Sequence, residues 1–236
     1  MMIRNLFIIT CLLLAAATTT HAQPLDHNLW TSFLQKYVSK TGQVDYKTIM
    51  SDDSELKAYI QKLTNNIPNN NWSKNETLVY WINTYNALTI DLILRNYPVK
   101  SIKDIKDPWD QKFYTFNDET LSLNQIEHDI LRKMDEPRIH FAIVCASVSC
   151  PKLLNEAYVA EKLERQLTDA AKNFLNDNSK NKISNNQLEL SKIFKWFTKD
   201  FKQKGSLIDF LNQYSEVPIS NNAKISYLEY NWDLND

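Results

Sequence analysis

The chain has 236 residues, with 27 Lys and Arg against 28 Asp and Glu, three cysteines and only two glycines. A net charge of −1 spread over scattered lysines and glutamates argues against nucleic acid, which requires a clustered basic face. Glycine at Gly42 and Gly205 alone excludes the classical P-loop and dinucleotide fingerprints, where the backbone must approach phosphate closely.

Residues 1–22 read as a secretory signal peptide. Arg4 precedes an apolar run from Leu6 to Ala17, and small residues lead to Ala22, the expected cleavage point. The run of about 12 residues is too short to span a bilayer, and nothing downstream offers a transmembrane segment. Cys11 lies inside the run, with about half of it still to come, which speaks against lipid attachment. The expectation is export to the periplasm or the exterior. The mature chain, with Arg4 removed, carries a net charge of −2 and is long enough to bury a sizeable core.

Leu29, Trp30, Phe33, Leu34, Tyr37 and Val38 follow helical spacing, with Gly42 as a stop, and residues 52–64 form a second helix. The stretch NNIPNNN at 65–71 is a loop, which divides an N-terminal helical extension, 23–71, from a main domain, 72–236. His27, beside Asp26, reads as surface. Ser73 and Glu76 form a capping box that opens a long helix, apolar on nearly every face and therefore buried. Asn83, Asn86 and Asp91 on that helix must find hydrogen-bond partners.

KFYTF at 112–116 reads as a strand and NDET as its turn. Ser122 and Gln125 form a second capping box, opening a helix over 122–134. Glu127 falls inside its apolar face, made by Leu123, Ile126, Ile130, Leu131 and Met134, and His128 lies at the edge. A carboxylate there is either paired, with an arginine such as Arg132 or Arg138, or an acid or base of raised pKa. Ile139–Cys145 reads as a short apolar strand and 155–175 as a long amphipathic helix. Residues 182–184 and 188–190 bracket Asn185-Asn186 as a hairpin. Two short helices, 191–201 and 206–215, precede a closing strand at 224–236. Few strands among many helices make the class α+β: a helix-rich single domain with a small sheet and a buried central helix.

The segments YWINTYNALTIDLILRNYPVKSI (80–102), SLNQIEHDILR (122–132), RIHFAIVCASVSCP (138–151), LSKIFKWFTKDF (190–201) and YNWDLND (230–236) resemble the domain of unknown function 547. The resemblance runs through nearly all of the mature chain. It implies that the Asn-rich helix and the Glu-His, His-Phe and Cys-x4-Cys-Pro segments are the signature, but no activity. Ser149 stands where the family more often has glycine. The family's cytosolic eukaryotic members weigh against a cysteine pair that exists only to form a disulfide.

Cys145 and Cys150 leave several readings open. Export permits a disulfide. A thiol nucleophile needs a base within about 3 Å, yet a straight strand puts His140 and Cys145 on opposite faces, about 16 Å apart. Packed along that strand, helix 122–134 would bring Glu127 and His128 level with His140. A zinc site made of His128, His140, Cys145 and Cys150 matches no standard spacing. Small buried hydrophobes are the remaining reading.

The leading expectation is an exported, cysteine-centred hydrolase or acyl transferase acting on a small-molecule or peptide-like ligand, with no metal and no cofactor. Cys145 or Cys150 is the nucleophile, His128 or His140 the base, and Glu127 orients it. Asn83, Asn86 and Arg138 contact substrate. The competing class is a non-catalytic binding domain with a structural or redox-labile disulfide; a redox protein is third.

Overall fold

The computed structural model describes residues 25–236, so the signal-peptide reading of residues 1–22 lies outside the described residues. Among the described residues no helix is long and apolar enough to cross a membrane.

Helix α1, Asn28–Tyr37, buries Trp30, Phe33, Leu34 and Tyr37, the apolar set of its helical spacing. Gly42 follows at φ 90°, and a Cβ there would meet Lys152 Cγ at 2.8 Å, so the turn needs glycine on both counts. Asp45 opens α2, Tyr46–Ser51, by accepting the Thr48 N–H, and α3 spans Ser54–Thr64. His27 is a correction. It lies buried between α1 and α3, with Nδ1 2.7 Å from the Tyr59 hydroxyl, and burial beside Lys62 lowers its pKa to about 4.

Helix α4, Lys74–Asn96, begins at the expected capping box: Ser73 Oγ accepts the Glu76 N–H, and the Glu76 carboxylate accepts the Ser73 N–H. Every residue from Leu78 to Ile93 is buried. The apolar faces of α1, α2 and α3 share one core with it. Asn83 bonds both the N–H and the C=O of Tyr158, and Asp91 pairs with Arg95.

Strands β1, Tyr114–Phe116, and β2, Glu119–Leu121, form an antiparallel hairpin. Glu119 and Thr120, expected in the turn, are strand residues; Asn117 at φ 54° makes the reversal tighter than expected. Ser122 and Gln125 exchange the capping-box bonds. The helix they open then widens. The Leu131 N–H reaches back five residues to Ile126 O, making Gln125–Ile130 a π-helical turn, and Leu131–Met134 tightens into a 3₁₀ turn.

The strand expected at Ile139–Cys145 is absent. Pro137–Phe141 is a 3₁₀ turn, with Pro137 in its first turn and Glu136 accepting the Arg138 N–H. The residues that follow have no neighbouring strand, and Asn86 of α4 stands in for one. Its amide donates to Ala142 O at 2.9 Å and accepts the Val144 N–H at 3.0 Å. Ala146 then turns the chain at φ 53°, a left-handed conformation uncommon for a residue with a Cβ. Ser149, where glycine is more usual, is not among the positive-φ residues.

The next helix is shorter than expected. Residues 155–159 are not helical, because Tyr158 is held by Asn83 and the Val159 N–H by Gln166; α5 spans Leu163–Leu175 after a 3₁₀ turn at Ala160–Lys162. Strands β3, Lys182–Ile183, and β4, Gln187–Leu190, form the expected hairpin, and β5, Lys224–Tyr227, adds parallel to β4. Helices α6, Lys192–Trp196, α7, Thr198–Phe201, and α8, Leu207–Asn212, lie between β4 and β5 and share a second apolar core with α5. The closing residues run back across the cysteine turn: Val148 N–H donates to Asp233 O and Ser149 N–H to Asn231 O. The result is a mixed α+β domain, 48% helical, with sheets of two and three strands.

Asn86→Leu would leave the Ala142 C=O and Val144 N–H buried without partners. Each costs about 1–3 kcal/mol, so urea denaturation is expected to show a loss of about 2–4 kcal/mol.

Candidate functional site

A cavity of about 140 Å³ opens between the two cores. Tyr85 of α4, Glu127 and His128 of the π turn, His140, Cys145 and Cys150 line it, with Trp196 and Phe197 at the end of α6 and Tyr230 and Trp232 of the closing segment. The 3₁₀ turn brings His140 and Cys145 to one cavity, where a straight strand would have opposed them, and the bend at Ala146 precedes the return of Cys150 to the same wall.

Glu127 is 8% exposed, and its hydrogen bond is with Tyr85, whose hydroxyl donates to Oε2 at 3.3 Å. Neither arginine suggested by the sequence is bonded to it. Arg132 is committed to Asp200 at 2.6 and 2.9 Å, and Arg138 to Glu136 and Glu164. Burial pushes the Glu127 carboxyl up to about 7, against the smaller downward pull of the Tyr85 bond and the Arg132 charge.

His140 is the centre of the polar network. Its ring stacks on Phe197 with centroids 3.8 Å apart, and Nε2 sits 2.8 Å from Asp200 Oδ2. Burial alone would raise the Asp200 pKa, but the bonds from His140 and Arg132 outweigh it and hold the group well below the usual carboxylate range. An ionised Asp200 can only accept, so the proton of a neutral His140 is on Nε2 and Nδ1 carries the lone pair. Burial lowers the His140 pKa and keeps the ring neutral, although the Asp200 bond opposes this. Nδ1 is buried, has no hydrogen-bond partner, and lies 4.0 Å from Glu127 Oε1.

Cys145 and Cys150 are at disulfide distance, 2.10 Å between sulfurs and 6.1 Å between Cα atoms. Cys145 Sγ lies 3.3 Å from Ser147 Oγ and 3.2 Å from the Tyr230 hydroxyl. His128 keeps much of its surface exposed and receives a bond from Arg132 at Nδ1; partial desolvation of the ring and that positive charge lower its pKa. Among the described residues no group of three or more His, Cys, Asp and Glu side chains is placed to hold a metal ion. For the zinc reading, the sulfurs face each other and His140 Nε2 faces Asp200.

Asn83, Asn86 and Arg138 lie outside this cavity. The two amides are consumed by backbone groups, and Arg138, bonded to two carboxylates and Thr168, borders a separate acidic hollow. Sequence reasoning assigned no role to Asp200, Tyr85 or Tyr230. Asp200 stands out only as an acid among the aromatic residues of WFTKDF, and Tyr230 only as part of the closing motif.

Fold and site together define a helix-rich α+β domain that encloses an aromatic cavity with a buried carboxyl–imidazole pair at its polar end. Residues 69–175 match the family described as protein of unknown function, DUF547, a match that supports assignment to that family. The matched stretch carries Glu127, His128, His140 and both cysteines, whereas Asp200 and Tyr230 lie beyond it. No curated protein and no solved structure matches the chain.

Glu127 keeps its proton in the folded chain up to about pH 7, whereas an unfolded carboxyl loses it near 4.5. Stability therefore falls as pH rises through that window and stays lowered above it, by about 3 kcal/mol at most. Glu127→Gln is expected to be more stable than the parent by about 1–3 kcal/mol at pH 8 and near parity at pH 4. Urea melts at the two pH values decide: equal destabilisation at both would make the carboxyl a structural support.

Proposed function

We propose that this domain is an exported enzyme that performs acid–base chemistry, as acyl transfer or hydrolysis, on a small-molecule or peptide-like ligand held in the aromatic cavity. The observation that carries the reading is the unpartnered Nδ1 of His140, 4.0 Å from the Glu127 carboxyl and backed through Nε2 by Asp200. Asp200 orients the ring and stabilises the imidazolium that forms when Nδ1 takes a proton. A carboxyl poised at about 7 can give or take a proton near neutral pH. As the nucleophile adds to the acyl carbon, its proton goes to Nδ1 or Glu127, and from there to the departing group.

A second reading makes a cysteine thiol the nucleophile. The sulfurs share the cavity with His128 and His140, and the Ser147 and Tyr230 hydroxyls beside Cys145 Sγ would donate to a thiolate once the pair is reduced. A third reading is a non-catalytic binding domain in which the cysteine pair is structural.

Hydrolysis of a panel of p-nitrophenyl esters, by oxidised and reduced protein, separates the three. The acid–base reading expects activity in the oxidised protein that falls about 100-fold or more in Glu127→Gln and His140→Gln. Where Glu127 serves as base, its kcat/KM rises with pH and levels off above about 7. Activity that appears only on reduction and vanishes in Cys145→Ser or Cys150→Ser would establish the thiol nucleophile. No turnover in either redox state would leave the binding domain.

A further inference from the structure

Two acceptors face each other at the polar end of the cavity, and neither has a cation of its own. Oε1 of Glu127 lies 4.0 Å from Nδ1 of His140, whose proton is on the far side of the ring, toward Asp200. The separation is too long for a bond between them and suits a third group that donates to both. No lysine or arginine lines the cavity. The nearest cation, Arg132, is spent on Asp200 and His128. Above the acceptors the wall is aromatic. The rings of Trp109 and Trp196 pack on Trp232 at 5.8 and 5.7 Å, and Tyr230 lies 4.6 Å from Trp232. Ring faces attract cations, and a buried carboxylate lacking a counter-charge does so more strongly.

We propose that this acceptor pair receives the protonated primary amine of the ligand, with the tryptophans covering its apolar body. The inference rests on the acid–base reading above and adds the substrate class. One ammonium N–H donates to Glu127 Oε1 and another to His140 Nδ1. When either acceptor takes its proton, the N–H bond breaks, its electron pair stays on nitrogen, and a neutral amine remains as the nucleophile for an acyl group.

The amine binds best to ionised Glu127. The groups facing that carboxyl are Tyr85 from α4, Arg132 and His128 from its own helical segment, His140 from the 3₁₀ turn, Asp200 from α7 and Tyr230 from the closing segment. Of these only His128 and His140 have ordinary values near neutrality. Both are shifted downward, which moves their own protonation to lower pH, away from the range in which Glu127 ionises.

The test is binding of benzylamine, benzyl alcohol and benzoate to the whole mature chain, followed by tryptophan fluorescence and calorimetry, which need no turnover. Benzylamine is expected to bind at least tenfold tighter than the other two at pH 8, and to weaken by roughly tenfold for each pH unit below the carboxyl's pKa. Glu127→Gln should erase both the preference and the pH dependence while leaving benzyl alcohol unchanged. Equal binding of the alcohol or benzoate, no pH dependence in the parent, or no binding of any probe at millimolar concentration would overturn the proposal. The two readings fail separately. Ester hydrolysis lost in Glu127→Gln without amine preference sinks the amine alone. Amine preference with hydrolysis insensitive to Glu127 and His140 sinks the acid–base mechanism and leaves an amine-binding site.

Discussion

The segment that leads into the cysteine-bearing turn has no strand beside it, and the amide of Asn86 does what a strand would have done. Sitting in the middle of a helix buried on every side, it bonds Ala142 O and the Val144 N–H, which would otherwise be buried without partners. Asn83, one turn earlier, grips Tyr158 in the same way. From the other side the closing segment supplies Asp233 O and Asn231 O to Val148 and Ser149. Residues 142–150 are thus clamped between a helix from the first core and a strand-like tail, and the cavity forms where that clamp leaves space.

The polar end of the cavity depends on where charge is neutralised. Arg132 and Asp200 satisfy each other, and Asp200 satisfies His140 Nε2. Glu127 is left with a phenol as partner and a raised pKa, and His140 with a bare nitrogen. A buried polar group without a partner is costly, and His140 Nδ1 is left in that state 4.0 Å from the Glu127 carboxyl. The π turn belongs to this arrangement, since such turns carry an extra residue per winding and occur often at functional sites.

The redox state of the cysteines is a separate variable. Their sulfurs form part of the cavity wall, whereas the imidazole of His140 is held by Asp200 and Phe197. Ser147 and Tyr230 surround Cys145 with hydroxyls, and the Tyr230 hydroxyl is itself pushed up to about 12 by burial. It therefore stays a donor over the whole physiological range.

Local pattern determined a good deal about this protein. The helices α1, α3 and α4, the capping boxes at Ser73 and Ser122, the β3–β4 hairpin and the α+β class follow from spacing and capping chemistry that neighbouring residues decide. Glu127 was visible as a carboxyl on an apolar stripe, His140 as a polar residue near the start of an apolar run, and the cysteines as residues at and beyond its end. Tertiary structure alone decided the rest. Ile139–Cys145 reads as a strand, but a strand needs a partner strand, and its hydrogen bonds come from Asn86, more than fifty positions away. Asp200 and Tyr230 join the site across sixty to ninety residues, a distance over which no periodicity carries information. Which carboxylate Arg132 chooses, and so which one is left poised, is settled only when three separate segments pack together.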